Sequence, residues 1–93
     1  MIVGVLRIEL VIYEACSLKD KRRVVKGLKD RLAGKFNVSI AEVEALDSRQ
    51  RAVLGIAVVG NESRFVRSCL DKIVDYVRLA PSLNLVDYST ELF

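Results

Sequence analysis

The 93-residue sequence predicts an α+β sandwich, one antiparallel sheet of four strands with two helices packed on a single face. Three observations predict it. The stretch IVGVLRIELVIY has the period-two alternation of a half-buried strand. Two later stretches repeat apolar residues at helical spacing. The segments follow in the order β-α-β-β-α-β, and right-handed crossovers then leave few topologies other than one shared sheet with both helices on the same side.

Each element can be justified in turn. The first strand sets Leu6, Ile8, Leu10 and Ile12 against Val5, Arg7, Glu9 and Val11. Ser17 is placed to cap a helix, with Asp20 three residues on as a weaker form of the capping-box acid. That helix is expected to run to about Ala33, with Gly34 as its stop. FNVSIAEVEAL is the second strand. Phe36, Val38 and Ile40 hold one phase and Ala41, Val43 and Ala45 the other, so a bulge is expected near Ile40–Ala41. LDSRQ is a polar turn, and RAVLGIAVVG is a β-rich third strand. Asn61 is expected to cap the second helix, on which Val66, Cys69, Leu70, Ile73 and Val77 share a face and after which Pro81 ends the run. LNLVDYSTELF is the last strand. The result is a split-βαβ, ferredoxin-like arrangement forming a single domain over residues 1–93.

Composition excludes several classes of function. Apolar residues at 52% with charged residues at 29% make a globular chain and not a disordered one. No apolar run approaches the roughly 20 residues that cross a bilayer, and the first residues lack the basic region and cleavage site of a signal peptide. Cys16 and Cys69 show no pairing rhythm, so a cytoplasmic location with both thiols free is expected. Histidine, the commonest general base and metal ligand, is absent. Cys16 stands near a helix start but has no base beside it, and an incidental cysteine is the better reading. Cys69 belongs to a buried helix face. Glu42, Glu44 and Asp47 read as a solvated strand edge. No catalytic residue, metal or cofactor is expected, because nothing pairs a nucleophile with a base.

Charge carries more information. Residues 1–35 hold nine Lys/Arg against four Asp/Glu, a net +5, while residues 36–93 hold six against eight, a net −2. The excess lies in SLKDKRRVVKGLKDRL. At about 100° per residue from Leu18, Val24, Val25, Leu28 and Leu32 fall between roughly 240° and 340° as a buried stripe. Lys19, Arg22, Arg23, Lys26 and Lys29 fall between roughly 20° and 140°, away from it. Arg31 and Lys35 stand at the margin. At about 1.5 Å per residue the row is roughly 15 Å long, enough to meet a few phosphates of a nucleic-acid strand. A merely solvated helix surface explains the same cations. Base-stacking aromatics of the RNA-recognition type are missing from the third strand, so any RNA would be held through phosphate and shape.

The sheet face opposite the helices is expected to carry Val3, Val5, Val11 and Tyr13 from the first strand and Val53, Gly55, Ala57 and Val59 from the third. Such an apolar surface suits a twofold homodimer, with Val3, Val5, Val11, Val53, Ala57 and Val59 at the interface.

Over nearly its full length the sequence resembles the YlxP-like bacterial proteins. The resemblance rests on MIVGVLRIEL, SLKDKRRVVKGLKDRL, KFNVSIAEVEALD and QRAVLGIAVVGNE, in that order and spacing. It implies a ferredoxin-like fold and no catalytic residues. It also implies a gene neighbourhood shared with a translation initiation factor and a ribosome-maturation factor. The expected function is therefore that of a non-enzymatic accessory protein. It would bind structured RNA or a ribosomal subunit through Lys19, Arg22, Arg23, Lys26, Lys29, Arg31 and Lys35. The alternative is a ligand-sensing or protein-interaction module of the same fold.

Overall fold

Alternation along Ile2–Val11 makes strand β1, whose inward positions Leu6, Ile8 and Leu10 are fully buried. The structure is a computed structural model and describes residues 1–93. After β1 come α1 (Leu18–Lys35), β2 (Ser39–Glu44), β3 (Arg51–Gly60), α2 (Ser63–Arg78) and β4 (Asn84–Leu92). The four strands lie in the order β2-β3-β1-β4, and every neighbouring pair is antiparallel. This is the ferredoxin-like α+β fold.

The core sits between the sheet and the helices. Leu6, Ile8, Leu10, Leu54, Ile56 and Val58 of the two central strands meet Val25, Leu28 and Leu32 of α1 and Val66, Leu70, Ile73 and Val77 of α2. Burial of this kind of side chain is worth roughly 1.5–3 kcal/mol each, which is what fixes the strand phase. Gly4 and Gly60 let α2 settle onto the sheet. A Cβ at Gly4 would run into Val66, and one at Gly60 would lie 2.7 Å from Val66 Cγ2.

Four local expectations need correction. The first helix does not stop at Gly34. It continues to Lys35 and ends where Phe36 turns extended (φ −128°, ψ 151°) to pack against the core, and Gly34 never takes a left-handed conformation. The second helix is capped by Glu62 and not by Asn61, with no side-chain cap bond; burial of Val66 and Leu70 holds its start instead. The β2 bulge lies between Glu42 and Glu44, later than Ile40–Ala41. Ala41 pairs with Gly55 on the open face while Ile40 and Glu42 keep the helix face, so the change of apolar phase was no guide. The acidic cluster is a solvated edge only in part: Glu44 and Asp47 are exposed, Glu44 pairing with Arg7 on the open face, but Glu42 ion-pairs with Lys21 under the helix.

Candidate nucleic-acid interface

The basic helix begins on a built cap. Ser17 Oγ accepts the Asp20 N–H at 3.1 Å, and the Asp20 carboxylate accepts the Cys16 N–H at 3.2 Å, so the reciprocal bond lands one residue outside the usual capping box. Val25, Leu28 and Leu32 anchor the helix to the core, and this fixes which side faces water.

The structure brings Lys19, Arg22, Arg23 and Lys26 together as exposed cations, with Lys29 half-buried beside them. Lys26 is bound at 2.8 Å by Asp30, one helical turn on; that hydrogen bond, with the attraction of the carboxylate, raises the lysine's pKa. Lys19, Arg22, Arg23 and Lys29 have no acidic partner. Arg31 and Lys35 are exposed but turn toward α2. Arg31 borders a depression with Tyr76, Leu79, Ala80 and Pro81, and Lys35 Nζ lies 5.2 Å from the centre of the Tyr76 ring. The seven cations thus divide into an outward row and a flank that meets α2.

Lys21 belongs to neither group, and the sequence reading passed over it. Its side chain is fully buried. Nζ donates to Glu42 Oε2 at 2.9 Å, to the Ala45 carbonyl at 2.8 Å and to the Arg51 carbonyl at 3.2 Å, with the Leu46 carbonyl at 3.4 Å. One lysine therefore ties α1 to the whole turn between β2 and β3. Ala45 is held there in the left-handed region at φ 60°, with its carbonyl aimed at the ammonium. The signal was available, because Lys21 lies at roughly 300° on the helical wheel, inside the apolar stripe.

The open sheet face is divided. Val3 and Val5 pair in register with Val59 and Ala57, and Phe93 is hydrogen-bonded to Val3 through both backbone groups, so these side chains share one end. Val59 is 60% exposed and Phe93 69%. At the other end Arg7 binds Glu44 at 2.7 Å and Arg51 binds Glu9 at 2.9 and 3.3 Å. Val53 pairs with Glu9 on one side and Glu44 on the other and is completely buried within the single chain. It has no surface left for a partner, which corrects its place in the expected interface. Val11 and Tyr13 lie beyond Glu9 toward the same polar end.

Both cysteines are unpaired. Cys16 is exposed in a wide depression of about 500 Å³ with Ser48, Arg49 and Gln50. Burial raises the pKa of the half-buried Cys69 thiol, opposed in part by Lys72. No helix is long and apolar enough to cross a membrane.

Comparison with known proteins finds similarity over nearly the whole chain. A family described as "Protein of unknown function (DUF503)" matches residues 3–90. The chain is also 35% identical over 91 residues to "Uncharacterized protein YlxP" of Bacillus subtilis (strain 168), covering 98% of this chain and 99% of that one. The basic helix, the Lys21-anchored hairpin and the four-stranded sheet are thus those of a member of the YlxP-like family, DUF503, to which this chain belongs.

Proposed function

We propose that this is a cytoplasmic, non-enzymatic accessory protein that binds structured RNA, on a ribosomal subunit or its precursor, through the outward row of α1. One observation carries the reading: Lys19, Arg22, Arg23 and Lys29 sit on one helix side with no acid to neutralise them. A row roughly 15 Å long faces about four phosphates at one per about 3.4 Å of strand. Each neutralised phosphate releases counterions, so binding weakens steeply with salt. The gene neighbourhood implied by the resemblance points the same way.

The experiment is affinity for structured RNA and ribosomal particles, measured against salt. Replacing Arg22, Lys26 and Lys29 by Glu should weaken binding at least a hundredfold. Arg22→Ala alone should lower the salt slope by about one. Unchanged affinity in the triple variant would overturn the proposal. A metabolite that raises Tm while RNA does nothing would point to a ligand-sensing module instead.

We also propose that a second copy covers the open sheet face. Its charged end is already neutralised by its own ion pairs, so a twofold contact would bury no unpaired Arg7, Glu9, Arg51 or Glu44. The small side chain of Ala57, opposite Val5, keeps the apolar end flat.

A further inference from the structure

The flank of α2 that faces the end of α1 is neither core nor plain solvent surface. Phe65, Ser68, Cys69 and Lys72 recur at helical spacing along it, opposite Lys35, Phe36 and Asn37, and enclose about 340 Å³. A second depression of about 330 Å³ continues from Lys35, Phe36 and Lys72 along Asp75, Tyr76 and Leu79. The two form one trough that shares those three residues.

Its chemistry is specific. Three of the chain's six aromatic residues line it. Phe36 and Tyr76 stand edge to face with ring centres 6.5 Å apart, so their orientation is fixed. Phe65 is 59% exposed, and its ring edge rests over Gly60, where a Cβ would come within 3.3 Å of it. Much of the ring is thus open to water at the trough mouth. Lys35 and Lys72 border the trough, with Asp75 its one acid. Aromatic faces flanked by cations suit a planar base attached to a phosphate. The two central strands carry no aromatic residue, but the helices offer such a platform.

We infer that this trough receives an unpaired nucleotide of the bound RNA, its base stacked on Phe65 beside Phe36 and its phosphate on Lys72 and Lys35. The inference rests on the α1 reading, since Lys35 ends the basic helix and borders the trough. It adds that the RNA must offer a loop or bulge, which a phosphate-reading helix alone does not require. Stacking one base is worth about tenfold or more in affinity.

The test compares a hairpin carrying a five-nucleotide loop with a blunt duplex of equal phosphate number, by anisotropy at fixed salt. The wild type should prefer the hairpin by about tenfold. Phe65→Ala, at an exposed position, should reduce that preference to about twofold or less with duplex affinity unchanged. Lys72→Ala should weaken the hairpin more than the duplex. Equal wild-type affinity for the two RNAs, or equal losses in Phe65→Ala, would overturn the trough assignment and leave the α1 reading intact. Failure to bind either RNA would overturn both. Adenosine monophosphate that abolishes the preference at the hairpin's own concentration would assign the trough to free nucleotides and overturn its assignment to RNA.

Discussion

Lys21 Nζ lies 2.9 Å from Glu42 Oε2, with the lysine wholly out of water and the glutamate side chain 13% exposed. The pair joins the inner side of α1 to β2, and the other bonds of the ammonium satisfy carbonyls of the turn behind it. Removing one partner leaves the other buried and uncompensated. Lys21→Met should therefore cost about 3 kcal/mol, a Tm lower by at least about 12 °C for a domain of this size. Glu42→Gln, which keeps an acceptor but removes the countercharge of the buried ammonium, should cost about 2 kcal/mol. Thermal unfolding of the two variants checks this, and a Lys21→Met change below about 0.5 kcal/mol would contradict the role given to the pair.

Glu9 and Arg51 make the pH-sensitive contact of the open face. The hydrogen bonds from the Arg51 guanidinium, aided by its charge and that of Arg7, hold the Glu9 carboxyl below its usual range. A carboxyl whose pKa is depressed by folding stabilises the fold above its unfolded value, about 4.3, and loses that contribution as pH falls through the folded value. Glu9→Gln should therefore lower Tm at pH 7, with the difference from wild type closing at acid pH. Melting curves from pH 7 to pH 2.5 test this, and a difference that stayed constant or widened toward acid would contradict it.

The glycines separate into two kinds. Gly34 has open space around it and an ordinary helical backbone, so Gly34→Ala should stabilise by about 0.5–1 kcal/mol. Gly4 is where β1 meets Val66 and Leu70, and Gly4→Ala should destabilise by about 2 kcal/mol. Opposite signs in urea titration are the expected outcome.

Sedimentation at micromolar concentration should show a dimer, converted to monomer by Val5→Asp or Val59→Asp. Val53→Ala should instead lower stability by about 1–2 kcal/mol, because Val53 is buried within one chain. A monomeric wild type would remove the dimer.

Periodicity made the element order, the core and the outward row of α1 legible, because burial selects residues at every second or every third to fourth position. It failed where a polar residue is buried against a distant partner. Lys21 was passed over because its acceptors come from residues 42–51, which only the folded chain brings near. The bulge at Val43 follows from the same contact, since Glu42 must stay on the helix side to reach Lys21. Val53 was hidden in another way. Its own pattern is that of an open-face residue, and the ion-paired side chains beside it decide its burial. The trough was out of reach because its two walls meet only when α1 and α2 share the sheet.

The position of β1 has a consequence for how the chain reaches this state. β1 is first in sequence and central in the sheet, and its two neighbours are residues 51–60 and 84–92. Closing such distant pairings is slow compared with forming either helix. During that delay both backbone edges of an apolar strand stand open to other chains. Arg7 and Glu9 interrupt the strand at its middle, and before Glu44 and Arg51 arrive they are free charges. They keep like strands from stacking in register, so the residues that neutralise one another's neighbourhood in the finished sheet first act as gatekeepers against aggregation of the unfinished one.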